Sequence, residues 1–388
     1  MSRLITVKLL LLLCLFHILP TSHAKGFTFN HKGLHFHSSS NNFKARLGGR
    51  LHLDSGTFIQ GEQFEKNSSA LRRARLALRV SLYDYWRLSI QHNSFDDKKR
   101  YSEAWVSYRG FNSISIKAGQ FTEPFGLEAL TSSNVITFME RSLPTVLSPG
   151  TNVGASLAIK NTTWTATSGF FWETYIEDEK PFDSSEGQGL TGRLTLTPIK
   201  HKRTLLHLGT SVSLRWPGEQ ERIRFATRPE TRITRERLVN TGRIKHVDRY
   251  IMTNMEAAVI HQSFSMQTEY MHTRIMHEGD TGSDETIYGA YIAASWFLTG
   301  EQRNYKHGIF TRTTPKKNTA WEMAIRYSLL NLNGKRLNGG KEHDTTFAIN
   351  LYYKKNTRFM FNYIRINADT RKNNIDAQLL QMRWQLML

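Results

Sequence analysis

The sequence predicts an all-β fold, a 16-stranded antiparallel transmembrane β-barrel, on three observations. Apolar and polar residues alternate with a period of two through most of the chain, whereas helical periodicity is hard to find over any long window. The links between the alternating segments are short and long by turns. After Leu19 no run of ~18 apolar residues occurs that would make a membrane helix.

The N-terminus precedes this pattern. Arg3 and Lys8 lead into an apolar run from Leu9 to Leu19, followed by Pro20, Ser22 and Ala24. That order is a secretory signal with cleavage expected after Ala24, and the run is shorter than the ~20 residues a spanning helix needs. The one cysteine, Cys14, lies inside it and follows Leu13 where a lipoprotein signal wants a small residue. The remaining chain is cysteine-free, which excludes disulfides, thiolate metal sites and cysteine nucleophiles. Removing residues 1–24 takes away two cations and no acid, so a net charge of +19 becomes +17. Such a surplus attracts anions: nucleic acid, acidic lipid or small solutes. With no Pro-rich or Gly/Ser-rich linker in sight, the organisation read is 1–24 signal peptide, 25–42 N-terminal periplasmic segment, 43–388 barrel.

Sixteen segments alternate, the first near 44–54 and the last near 376–388. Between Leu71 and Leu82, Ala74, Leu76, Leu78 and Val80 share one face, and Arg73, Arg75 and Arg79 lie on the other. At the C-terminus Leu380, Met382, Trp384, Leu386 and Leu388 alternate with polar neighbours. Short links recur at Tyr83 with Asp84, 110–112, Asn161 with Thr162, 198–203, 261–263 and 354–356. Long ones fall at 120–153, 171–189, 215–250, 330–343 and 367–375. Short turns on one rim and long loops on the other mark an outer-membrane barrel, and an even strand number leaves both ends on the periplasmic side. One long link, 299–317, falls where parity demands a short one, so either it hides a small helix or the strand number is wrong there.

If the apolar faces meet lipid, Arg46 and Arg50 of strand one, Arg73, Arg75 and Arg79 of strand two, and Arg87 of strand three point into the lumen. Two readings stand for them: a track along which anions pass between weak sites, or braces paired with acids such as Glu103, Glu128 and Glu140. The 215–250 loop carries ten Lys or Arg against five acids. It reads as an anion recruiter, a binder of lipopolysaccharide phosphates, or a solvated charged loop. Nucleic acid is set aside, since no docking motif or aromatic platform occurs. His31, His35 and His37 invite a metal reading, weighed against a flexible polar tail, which is preferred. No spacing sets apart a catalytic trio, so neither enzyme nor cofactor is expected.

FKARLGGRLHLD at 43–54, LRRARLALRVSLYDYWRLSIQ at 71–91 and, most specifically, GQFTEPFGLEALTSSNVITFMERSLPTVLSPGTNVG at 119–154 resemble the phosphate-selective porin O and P family. RPE at 228–230, RLVNTG at 237–242, MEAAVIHQSFSMQTEYM at 255–271, SWFLTGEQRNY at 295–305 and WEMAIRYSLLNLNGKRLNGG at 321–340 follow in family order. The resemblance implies a homotrimeric barrel whose third loop, 120–153 here, folds inward. It makes Glu128, Thr131, Ser132, Ser133, Asn134, Glu140 and Arg141 the constriction. Two departures bear on this: Leu127 to Gly150 holds a single cation, Arg141, and Asn134 stands where phosphate-binding members place a lysine. Both argue against high-affinity phosphate binding. The final Leu388 replaces the usual phenylalanine. The function expected is a passive channel of the Gram-negative outer membrane favouring anions such as phosphate, with small anionic solutes, lipopolysaccharide and outer-membrane lipid as partners. The alternative is a surface-exposed barrel that binds polyanions through its basic loops, its pore narrow or plugged.

Overall fold

The chain is seen in a computed structural model that describes residues 24–40, 42–61, 64–94, 101–172, 187–218, 222–279 and 283–388. The signal segment, Ala24 apart, and Cys14 lie outside the described residues. Sixteen strands form the wall: β1 (Phe43–Gln60), β2 (Asn67–Leu82), β3 (Trp86–Asn93), β4 (Tyr101–Phe111), β5 (Ile114–Thr122), β6 (Thr151–Lys160), β7 (Trp164–Trp172), β8 (Gln188–Lys200), β9 (Thr204–Trp216), β10 (Val247–His261), β11 (Phe264–His277), β12 (Glu285–Phe297), β13 (Thr319–Asn333), β14 (Asn338–Tyr353), β15 (Thr357–Asp369) and β16 (Asn374–Met387). Each pairs antiparallel with the next, and β16 returns to β1 from Met387↔Arg50 to Gln378↔Gln60, so the sheet has no free edge in the ring.

Alternation fixes which face of each strand is which. On β13, Trp321, Met323, Ile325 and Tyr327 are exposed while Glu322, Ala324, Arg326 and Ser328 between them are buried. The apolar set therefore faces out and the polar set in, the reverse of a soluble β-sandwich. Several short links contain a residue of positive φ, among them Tyr83 and Asp84 (50° and 59°) and Lys354 (49°), as tight hairpin turns require. The strands run longer than the alternation marked: β1 continues from Ser55 to Gln60. A bulge in the β1–β2 ladder between His52 and Leu53 sets Arg73 opposite His52 but Leu71 opposite Leu53. Arg72 is the extra residue.

Three expectations need correction. The link 299–317 holds no helix; its centre is a small hairpin, Asn304–Lys306 against Ile309–Thr311, and the strand number of sixteen stands. The stretch carrying His31, His35 and His37 is not a flexible tail, because Ala24–Asn30 and Gly33–Ser38 form a hairpin whose second strand pairs with β1 from Leu34↔Leu47 to His37↔Lys44. The 215–250 loop is not simply a solvated surface: Ile223, Phe225, Val239 and Ile244 share a core with Phe125, Leu143 and Leu147 of the 123–150 segment and with wall residues such as Met252, Ile287 and Leu330. Barrel curvature alone cannot bury such side chains, and two long loops supply the missing volume.

Candidate functional site

The inward face of β1–β6 is basic. Arg46 stands directly across from Arg79, and Arg50 across from Arg75. Like charges directly opposite on a sheet destabilise it, so fold stability does not account for two such pairs. The row continues through Ser81↔Arg87, Arg87↔Ser107 and Ser107↔Lys117. Arg109 lies within electrostatic range of Arg87, and Lys160 within range of both and of Lys117. Among the described residues of these six strands, the acids facing inward are Asp54, held by Arg383, and Glu103. Glu103 accepts hydrogen bonds from Gln91 Nε2 at 2.6 Å and Trp105 Nε1 at 3.3 Å. Most of this wall is half-buried, and Arg87 is exposed.

On the remaining strands many of the inward charges sit in buried pairs. Arg215 binds Glu123 at 2.8 Å, Glu256 is shared by Arg193 and His207, Arg326 lies between Glu128 and Glu230, and Arg358 approaches Glu322 at 3.6 Å. Most of the carboxylates or carbonyls involved belong to loops. Residues 123–150 carry the four-residue helix α1 (Leu127–Leu130) and a 3-10 turn, Leu143–Leu147. Glu269 of β11 accepts the amides of Leu127 and Glu128, both at 2.8 Å. Arg358 donates to the carbonyls of Ile136 and Thr137, and Asn350 also donates to Thr137. The segment is thus bonded to inward side chains of β8, β9 and β11 on one side and of β13–β16 on the other.

Within it the sequence-derived constriction residues divide. Glu128 is consumed by Ser142, Thr145 and Arg326. Thr131 Oγ1 donates to the Leu127 carbonyl, and Arg141 donates to the carbonyls of Glu128, Ala129 and Thr131. These three hold the loop's own shape. Ser133 and Asn134 turn toward the basic wall, where Ser133 Oγ accepts from Arg50 at 2.8 Å and Asn134 Oδ1 meets His52 Nε2 at 3.0 Å; Ser132 is exposed beside them.

Glu140 is where loop and wall meet. Its carboxylate accepts Arg72 Nε at 2.8 Å and Arg383 Nη2 at 2.7 Å, with Arg73 at 3.7 Å and Arg232 at 3.9 Å. Burial alone would raise its pKa, but Arg72, Arg73 and Arg383 outweigh burial and hold it well below the usual carboxylate range. Arg73 therefore braces Glu140, while Arg46, Arg75, Arg79 and Arg87 stand on the inward face of the wall. On the loop side Arg232, Arg237, Arg72 and Arg235 surround Arg228, whose guanidinium is pushed down to about 10, by burial first and these cations second. Arg228 Nε and Arg237 Nη1 are buried without an acceptor among the described residues.

From the other rim the 299–317 link reaches the same interior. Tyr305 bonds to His207 Nδ1 at 2.6 Å, the Gly308 carbonyl accepts from Arg193, and Phe310 packs with Leu127, Leu205 and Ile260. Lys306 and His307 at its tip lie within electrostatic range of Lys160, and Arg312 within range of Arg46. Sequence reasoning missed Arg72, because a bulge is invisible to strict alternation. It also missed Arg109, Lys117 and Lys160, whose parity was readable but which stand one to a strand. The three N-terminal histidines do not converge; the described residues contain no cluster of metal-ligand side chains.

The family model of the phosphate-selective porin O and P family matches residues 45–388. Porin O of Pseudomonas aeruginosa is 24% identical over 388 aligned positions, covering 88% of this chain and 87% of that protein. An uncharacterized protein of Caulobacter vibrioides is 27% identical, covering 84% of this chain and 69% of its own length. Among solved structures, the anion-selective porin of Comamonas acidovorans superposes with a TM-score of 0.58 at 12% identity, over 89% of this chain and 100% of that one. The outer membrane channel DcaP of Acinetobacter baumannii gives 0.58 at 12% identity, over 91% and 99%. Sequence match and closed sixteen-stranded ring agree: the chain belongs to the phosphate-selective porin O and P family of the outer membrane.

Proposed function

We propose that this porin is a passive diffusion channel that favours anions, with flux set by pore radius and lumenal charge. One observation carries the reading: on β1–β6 the inward cations Arg46, Arg50, Arg75, Arg79, Arg87, Arg109, Lys117 and Lys160 outnumber the inward acids, which among the described residues of these strands are Glu103 and the occupied Asp54. A row of weak sites admits anions without trapping them, and arginine suits it because its charge is fixed. Residues 123–150 act as the constriction, folded against the far wall with Ser132, Ser133 and Asn134 at the passage. The arginines around Arg228 gather anions above it, and Lys306, His307 and Arg312 frame the exit.

Phosphate as a solute rests on the family description; at the tip of the constriction the donors are Arg50, Ser133 and Asn134, which fit weak rather than tight oxyanion contact. Anion selectivity belongs by name to the Comamonas neighbour, and a trimer form to OmpT of Vibrio cholerae. We extend both to this chain, together with a signal removed after Ala24 and lipopolysaccharide around the barrel. The test is reversal potential in asymmetric KCl with the refolded mature protein in a planar bilayer, followed by phosphate titration. Anion-directed potentials are expected, with block by phosphate only at high concentration. Equal or greater cation permeability refutes the reading, and absence of conductance favours surface binding of polyanions.

A further inference from the structure

The N-terminal hairpin is absorbed neither by the ring nor by the passage. Its strands place Phe29 opposite Leu34 and Phe27 opposite Phe36. Leu34 and Phe36 in turn stand opposite Leu47 and Ala45 of β1. Cross-strand partners share a face, so these four apolar side chains continue the outward face of the barrel that Leu47 belongs to. Phe27 is 69% and Phe29 72% exposed, more than most outward residues of the ring. The next short turns carry their own exposed aromatic residues, Tyr83, Tyr85, Trp86 and Phe111, and exposed Tyr353 opens the turn that holds Asn356. At the hairpin's tip the Asn356 side chain donates to the His31 carbonyl at 2.8 Å, and Lys32 and Lys355 both come within electrostatic range of His31, with Lys354 preceding Lys355 in the same turn. The hairpin therefore offers an aromatic face under a lysine-rich edge.

Resting on the outer-membrane reading, we infer that this hairpin is an interfacial anchor that lays Phe27, Phe29, Leu34 and Phe36 into the periplasmic leaflet, with Lys32, Lys354 and Lys355 on the phosphates of anionic glycerophospholipids. Two observations fix the occupant. The aromatic face is continuous with the surface the barrel presents to hydrocarbon, and the cations sit at its headgroup edge, the arrangement by which amphipathic elements bind an anionic interface. The opposite face of the same strands carries Thr28, His35 and His37.

The mature chain lacks cysteine, so single cysteines at 27, 28, 29 and, as a control in the ring, 47 take an environment-sensitive fluorophore without background. In vesicles of phosphatidylcholine with phosphatidylglycerol, emission at 27, 29 and 47 is expected to shift to the blue and to be quenched by brominated acyl chains. Position 28 should do neither. K32E combined with K355E should lower the quenching at 29 in phosphatidylglycerol vesicles and leave it unchanged in phosphatidylcholine alone. If 27 and 29 behave like 28 while 47 is quenched, the anchor is overturned and the barrel's membrane placement stands. If 47 is unquenched too, the outer-membrane reading fails first. Disulfide cross-linking between copies through F29C in the membrane would also overturn it, since the face would then be covered by a second copy.

Discussion

Replacing Arg79 with glutamate separates charge from architecture at one position. Arg79 stands across from Arg46 on the inward face, so the substitution turns a like-charged cross-strand pair into an opposite-charged one. Sheet stability should stay level or rise by roughly 0.2–1 kcal/mol. The local lumenal charge falls by two. For a monovalent ion passing about 7 Å from the side chain, each unit of charge contributes roughly 0.6 kcal/mol at the dielectric of water, halved by screening at ~0.1 M salt. Two units acting oppositely on anion and cation then change the permeability ratio by about e², or roughly sevenfold. The assay is the reversal potential of R79E against wild type in a KCl gradient, with heat-modified gel mobility as the check on folding. A folded variant with an unchanged reversal potential would refute the reasoning, because it would place the permeant path away from this wall.

Other outcomes follow from the loops and the buried acids. E140Q removes the carboxylate that Arg72, Arg73 and Arg383 share, leaving them facing one another; a cost of about 3–5 kcal/mol should lower the melting temperature and bring subconductance noise. Because Glu140 is held below its unfolded pKa, its stabilisation is present above about pH 4.3 and is lost as pH falls through the depressed native value. Single-channel records should accordingly be quiet at pH 5, and loop noise already present there would count against the lock. Phe310 fills a core with Leu127 and lies 3.6 Å beneath the Arg303 guanidinium, so F310A should cost roughly 3–5 kcal/mol and raise conductance by freeing α1 from below; unchanged conductance would detach the 299–317 link from the constriction. Glu342 is buried with both carboxylate oxygens unpartnered among the described residues, and E342L should raise thermal stability by up to ~1–3 kcal/mol, a melting curve being sufficient to decide.

The ring was legible in the sequence because two-residue alternation and turn chemistry are local. Leu76 and Arg75 announce their faces whatever lies beside them, and Tyr83 with Asp84 can do little but turn. The shared inward face of Arg46, Arg50, Arg75 and Arg79 was readable for the same reason. Illegible were contacts made across the lumen, since nothing local to Glu140 tells that its carboxylate meets Arg383 on the last strand and Arg72 on the second. The bulge at Arg72 breaks the parity on which the reading depends. The family resemblance placed Glu128 and Arg141 at the constriction, but nothing local told that Arg141 would bond the carbonyls of α1 or that Glu128 would meet Ser142 and Arg326 of β13. The 299–317 hairpin escaped because an inserted turn has no periodicity of its own.

Asp54 and Arg383 face each other where the first and last strands meet, their side chains joined by two hydrogen bonds of 2.7 Å in a fully enclosed setting. That pair works as a registration mark for closure. Sliding β16 by two residues along β1 would keep every lipid-facing residue outside and every backbone bond available, so hydrophobicity cannot choose between the alignments. It would, however, carry Arg383 opposite His52 or Gly56 and take from buried Asp54 the guanidinium that holds it. The circle can be proofread only once both ends of the polypeptide are present, which ties the pore's circumference to a single ionic handshake formed late in assembly.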